Sequence, residues 1–324
     1  MNDHTPRRLT GSLLERAADI YGLTPQARPV PAPVAPQHDV PAAPKLAEDE
    51  PFELEAPLAI EEPVEVFVPR TVDWNPVRRT VTIDREKLAE AGMIVPGATV
   101  TALAEEFRLV KRQLLNTSRT IRAQDEDKSR MILVSSAKPN DGKTFCAINL
   151  ALSLAAEKDV EILLVDADFA KPDILNQLGA ADGPGLLDVL TGTVASAEDC
   201  ILDTDVPQLS VLPAGTKSVA DTELLSSERA HAILDGLAAA NPRRIVIFDS
   251  PPILAASPAS VLASHVGQVM LVVRADKTSE SDLREAVALL DACEQVQLVL
   301  NSVSFQPGGR RYGGYGAYYG EPGQ

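Results

Sequence analysis

Cysteine is scarce in this chain. Cys146, Cys200 and Cys293 are the three in 324 residues, far apart and without metal-ligand spacing. That excludes a disulfide framework or a zinc knuckle and suits a reducing compartment. The four histidines, His4, His38, His231 and His265, fall in no constellation and read as structural or surface residues. Positive charge is short as well: 30 Lys and Arg stand against 46 Asp and Glu, a net charge of −16. A broad nucleic-acid surface needs a basic stripe, so no nucleic-acid partner is expected. Long hydrophobic runs are missing too. The longest uncharged stretch, 250–273, is broken by Pro251, Pro252, Pro258 and several serines, and reads as loop, helix and strand rather than a membrane span. The first residues, MNDHTPRRLTGS, lack the apolar core of a secretory signal. A soluble, cytoplasmic protein is the expectation, with any membrane contact made through a partner.

Hydrophobic residues make up 45% of the chain, enough for a sizeable core. They are unevenly placed. Residues 1–23 hold a short amphipathic helix at 12–21, opened by the capping box Ser12/Glu15. Residues 24–70 carry nearly half of the 25 prolines among Ala and Glu, the composition of an extended, disordered linker. Residues 71–97 read as a small strand-helix segment, with a strand at 81–83, a helix at 85–91 capped by Asp84, and Gly92 closing it. A stronger amphipathic helix covers 98–115, with Leu103, Phe107, Val110 and Leu114 on one stripe. Glu105, Arg108, Lys111 and Arg112 lie on its polar side, and spacing alone makes that a solvated face.

The chain is organised around residues 131–149, MILVSSAKPNDGKTFCAIN. An apolar strand runs into a polar loop and then into an apolar helix. The loop fits G-x-x-x-x-G-K-[ST] with Ala137 in the first glycine position, a departure that requires a negative φ. Such an order lets successive backbone N–H groups and a helix N-terminus surround phosphates. Ala137, Lys138, Pro139, Asn140, Asp141, Gly142, Lys143, Thr144 and Phe145 are the candidate nucleotide-binding residues. Lys143 would reach the β- and γ-phosphates of ATP, and the Thr144 hydroxyl would ligate Mg²⁺.

Strand and helix then alternate. Strands are expected at 161–168, 209–212, 244–249, 269–273 and 296–303, and helices at 145–157, 221–239, 253–264 and 278–293. This predicts an α/β fold of the P-loop NTPase type: a parallel sheet with helices on both faces. Three carboxylates end strands on the loop's side of the sheet. Asp249 follows four apolar residues and suits the Mg²⁺ shell. Asp166 and Asp168 project to the same side of an extended chain, so one can orient the metal while the other accepts a proton. One of the two could instead be a helix cap or strand-end turn residue, and Asp168 is the more suspect.

These residues resemble the bacterial tyrosine kinases of exopolysaccharide and capsule synthesis, called BY-kinases. SSAKPNDGKTF, ILLVDADFAKP, GLLDVL, LSVLPAG and IVIFDSPP stand in that family's order, followed by a tyrosine-rich tail. The likeness covers 98–324. With TIDREKLAEAGMIVP and EEFRLVKRQLL it looks most like the stand-alone kinases of exosortase-type loci. The resemblance implies a kinase domain over 98–305 and a flexible tail over 306–324. It matches Lys138 to the signature lysine of the deviant Walker P-loop ATPases. Asp166 and Asp168 match acids for metal binding and activation of a tyrosine hydroxyl, and Asp249 matches the Walker B acid. It suggests Asn301 as an adenine-side contact, and an oligomer interface at Glu105 and Arg108, with Lys111 and Arg112 in place of a third motif arginine. Ala170 likewise departs from an expected arginine. The implied partners are a membrane-embedded polysaccharide co-polymerase (a chain-length determinant protein), a protein tyrosine phosphatase and further copies of the chain. The implied place is the inner face of the plasma membrane.

A second reading is a spatial-organising ATPase switch of the partitioning and division-site type. It shares the loop, the carboxylates and Lys138. The tail separates the two, because Tyr312, Tyr315, Tyr318 and Tyr319, four of the chain's five tyrosines, crowd behind Arg310-Arg311. Such a switch has no use for them, whereas an autokinase would phosphorylate them.

Overall fold

Four runs of apolar residues become the buried centre of one sheet: β2 (Met131–Ser136), β3 (Glu161–Asp166), β6 (Arg244–Asp249) and β7 (Gln268–Arg274). The computed structural model describes residues 78–217 and 224–303, all within the unit Val66–Gln324. The expected helix at 12–21, the linker 24–70 and the tail 306–324 with its four tyrosines lie outside the described residues. The other strands are β1 (Thr80–Val81), β4 (Leu202–Thr204), β5 (Leu209–Leu212) and β8 (Val296–Asn301). The order is β1-β4-β5-β3-β6-β2-β7-β8, with every pairing parallel except β4 with β5.

Strand periodicity divides the core in two. Ile132, Val134, Ile162, Leu164, Ile247 and Met270 face one side. There they meet α1 (Arg85–Glu90), α2 (Ala102–Ile121), α3 (Lys143–Ala155) and α4 (Ile174–Leu178). Met131, Leu133, Leu163, Val165, Phe248 and Leu271 face the other. They meet α5 (Leu186–Leu190), α6 (Glu228–Ala239), α7 (Pro258–Ala263) and α8 (Glu280–Ala288). Because α3 lies between the sheet and α2, it is buried almost all round. Among the described residues no helix is long and apolar enough to cross a membrane.

The differences from expectation have local causes. The segment before residue 98 is not separate, since β1 is the edge strand of the same sheet and pairs with β4. Buried Asn149 accepts from Ile94 N at 2.7 Å and so ties that segment to α3. Helix α2 starts at its Thr101 cap and runs six residues beyond 115. Its polar last turns are not a helix end: Gln268 Nε2 donates to Ser118 Oγ and Gln297 Nε2 to Thr117 Oγ1. Only Pro258–Ala263 of the expected helix 253–264 forms, because Ile253 N and Leu254 N donate to Ser136 O and Ala137 O and brace the loop after β2. Strand β3 stops at Asp166, where the chain turns.

Candidate active site

The chain leaves β2 for β3 on one side of it and reaches β7 on the other, so β2 marks the point where connections diverge. Crevices for ligands open there, at the carboxyl ends of the strands. The loop 137–142 fills this position. Ala137 is buried and has no positive φ, as its place requires. Asn140 and Gly142 take the left-handed region at φ 66° and 97°. The positive φ of Gly142 favours glycine, and a Cβ there would lie 2.1 Å from Asn301 Nδ2 and displace that amide. The Asn301 amide donates to Asp141 O at 2.9 Å, which sets it against the loop itself. Asp141 Oδ2 accepts from Lys138 N, and Ser136 Oγ donates to Lys138 O. Lys138, Pro139 and Asn140 are exposed on the rim, and Phe145 packs partly into the core.

Under the loop, α3 opens on Lys143 and Thr144. Lys143 Nζ lies 2.7 Å from Asp168 Oδ2 and 3.6 Å from Asp249 Oδ1. Thr144 Oγ1 donates to Asp249 Oδ2 at 2.6 Å. Both carboxylates of the pair serve a turn, Asp168 as expected and Asp166 as well. Asp166 accepts from Asp173 N and Ile174 N at 3.1 and 3.0 Å and from Asp168 N at 3.3 Å. Asp168 accepts from Lys171 N at 3.1 Å through Oδ1 and holds Lys143 through Oδ2. Burial pushes Asp166 up to about 7, helped by the Asp249 charge, and pushes Asp249 up to about 6 against the pull of Lys143. Burial pulls Lys143 down, but Asp249 and Asp168 outweigh it and the net shift is upward.

The residues present fit a nucleotide with its metal. Asp249 Oδ1 is buried and accepts no hydrogen bond, so one lone-pair face is left for a cation or its water. Among the described residues no cluster of three or more His, Cys, Asp or Glu could cage a metal alone. Mg²⁺ needs no such cage where phosphates and water complete its shell. Beside Asp166 a cavity of about 600 Å³ opens between Pro172, Asp173, Gly215 and Lys217. It gives a second reactant room next to a carboxylate.

Burying the Asp249 carboxylate costs more than Lys143 and Thr144 return, and the difference can be measured. The folded pKa of Asp249, about 6, stands above the ordinary value near 4, so the folded chain binds more protons between these values. Stability therefore falls as pH rises through that window and stays lower above it. In EDTA at pH 8, Asp249→Asn is expected to melt higher than the parent by about 3 °C or more. The gap should close near pH 4. Equal gaps at both pH values would show that the buried charge is not the cause.

The polar face of α2 lies away from this site. Arg108 pairs with Glu105 at 2.5 Å, and both line a groove of about 580 Å³ with Arg112. Lys111, expected on the same interface, is turned inward: its ammonium donates to Ser153 O and Glu157 Oε1 at 3.0 and 2.7 Å. It staples α2 to the end of α3, and Arg108, Arg112 and Arg119 are exposed cations along this groove. Asp282, on α8, is the residue near the loop that sequence reasoning missed. Its Oδ2 lies 2.6 Å from Lys138 Nζ. The pattern Ser279-x-x-Asp282 at a helix start, just after a strand, was the available signal.

The AAA domain family matches residues 129–302, more than half of the chain. The tyrosine-protein kinase YwqD of Bacillus subtilis is 31% identical over 196 residues, covering 60% of this chain and 81% of YwqD. The tyrosine-protein kinase Ptk of Acinetobacter johnsonii is 30% identical over 58% of this chain and 25% of Ptk. The chain spans about a quarter of the length of Ptk and of the EpsB proteins of Ralstonia. Among solved structures, the kinase domain of VpsO is 31% identical with a TM-score of 0.50, covering 61% of this chain and 98% of that one.

Proposed function

From the premise that this chain belongs to the bacterial tyrosine-protein kinases and carries their AAA domain, we propose that it is an ATP-dependent protein tyrosine kinase acting on its own tail. The observation that carries the reading is Lys143, held at the foot of the loop between Asp168 and Asp249 with the cavity at Asp166 beside it. Phosphoryl transfer asks a protein mainly for position and charge stabilisation. The loop's N–H groups and Lys143 hold and neutralise the phosphates of ATP. Thr144 and Asp249 hold Mg²⁺, which when bound neutralises the charge that develops on phosphate oxygens. Asp166 accepts the proton of the tyrosine hydroxyl as its oxygen bonds to the γ-phosphorus, and ADP leaves with the electron pair of the broken bond.

The acceptors are Tyr312, Tyr315, Tyr318 and Tyr319, and the transfer runs between copies, with the Glu105, Arg108 and Arg112 face of α2 bringing neighbours together. The kinase acts in the cytoplasm at the inner face of the plasma membrane. It serves a membrane-embedded polysaccharide co-polymerase and is reset by a protein tyrosine phosphatase. Each phosphate adds about −1.5 to −2 charge at neutral pH to a chain already at −16. Clustered phosphates therefore repel the carboxylates of a neighbour's site and loosen the assembly.

The test mixes a Lys143→Met chain with an intact tail and an active chain whose four tail tyrosines are Phe, in Mg-ATP. Phosphate is expected on the Lys143→Met chain, at a rate that rises with total protein. If an active chain labels only itself, independent of concentration, transfer between copies is wrong. If ATP is hydrolysed and no tyrosine is ever labelled, the chain is a nucleotide switch instead.

A further inference from the structure

The connection from β7 into α8 grips the phosphate loop from its rim. Arg274 Nη1 donates to Asn140 O at 2.8 Å, and Thr278 Oγ1 donates to Asp141 Oδ2 at 3.2 Å. The third hold differs in kind. Lys138 Nζ and Asp282 Oδ2, 144 residues apart in sequence, meet at 2.6 Å. Asp282 is fixed independently of that pair. It stands three residues after the α8 cap, where its Oδ2 accepts from Ser279 N and Ser279 Oγ while Ser279 Oγ accepts from Asp282 N. The Lys138 hydrogen bond, then those of Ser279, hold its carboxyl down at about 2, so it is charged at any working pH.

The loop thus has two ammonium groups with opposite assignments. Lys143 is buried beneath it and faces the phosphate position. Lys138 is half-exposed on the rim and is drawn away from the loop's centre by a carboxylate of another element. A polyphosphate entering the loop attracts both, and it gains Lys138 only by taking it from Asp282.

We infer that Asp282 is a positioning residue: it holds Lys138 on the α8 side of the loop and competes with bound nucleotide for that ammonium. This rests on the nucleotide-binding reading above. Nucleotide is consequently held less tightly than the loop alone would hold it. The competition is between exposed charges, so its size is modest and falls with salt.

The experiment titrates the full chain with Mg-ADP and with a non-hydrolysable Mg-ATP analogue in a calorimeter, at low and high salt, and follows KM and kcat for tyrosine transfer. Asp282→Asn should bind about two- to fivefold tighter at low salt, with a matching fall in KM and no rise in kcat. Asp282→Glu should return the affinity toward the parent value. In a Lys138→Met background, Asp282→Asn should change nothing. Ser279→Ala, which loosens the α8 cap, should lower thermal stability and leave affinity where it was. If the parent chain binds nucleotide and Asp282→Asn binds equally or more weakly, the inference fails while the kinase reading stands. It fails equally if Asp282→Asn acts as strongly without Lys138, or if Ser279→Ala reproduces its effect. A parent chain that binds no nucleotide overturns both.

Discussion

Lys143→Met is expected to abolish tyrosine transfer, lowering kcat/KM by about three orders of magnitude or more. Met keeps the length and apolar stem of the side chain and removes the ammonium that faces the loop from below. Two losses follow. The phosphates lose a charged donor in a buried site, where such a contact is worth several kcal/mol. The apo protein loses the counter-charge of Asp168 and Asp249, both almost fully buried. Removing one partner of a buried pair costs about 3–5 kcal/mol unless the orphaned charge is neutralised. Here it can be neutralised, because Asp249 already titrates high and rises further without Lys143. A raised carboxylate pKa means that stability falls as pH rises. The variant should therefore melt close to the parent near pH 5 and clearly below it at pH 8. Assaying binding at a pH where both are folded separates lost catalysis from lost structure. A rate unchanged at saturating Mg-ATP would remove Lys143 from the mechanism.

How much of this was legible in sequence follows from the range of each interaction. Strands β2, β3, β6 and β7 are continuous apolar runs, and such runs need no partner to be recognised. The phosphate loop is local too: its turn, its glycine and its lysine lie within eight residues. Strand β4 escaped because three residues, Leu202-Asp203-Thr204, carry no periodicity. Helices α4 and α5 are five residues each, held by tertiary contacts rather than by propensity. The roles of the charged residues were least legible. Lys111 reads as a surface lysine on a helical wheel, yet its ammonium reaches Ser153 O in α3 across 42 residues of sequence. Asp166 and Asp168 are equivalent by spacing. What separates them is the turn after β3, which gives three backbone N–H groups to Asp166 but one, that of Lys171, to Asp168, whose other oxygen faces Lys143.

That separation sets up the last experiment, a comparison of Asp166→Asn with Asp168→Asn. Asp166 borders the cavity and carries a pKa near 7, raised by burial and by Asp249. A base with that pKa is half ionised at neutral pH, so it can both take and release a proton there. Transfer by the parent should then rise with pH through about 7 and level off above it. Asp166→Asn should lower kcat by about 10²–10⁴ and erase that limb, leaving a flat residual rate. Asn has one acceptor oxygen where the carboxylate has two, so the turn at Asp173 and Ile174 also weakens. Melting curves taken alongside must show a folded majority at the assay temperature. Asp168→Asn instead releases Lys143 from its 2.7 Å partner. It should alter nucleotide affinity and slow transfer, while the limb near pH 7 survives because Asp166 is intact. If the limb persists in Asp166→Asn and vanishes in Asp168→Asn, the base is Asp168 and Asp166 is confined to holding the turn.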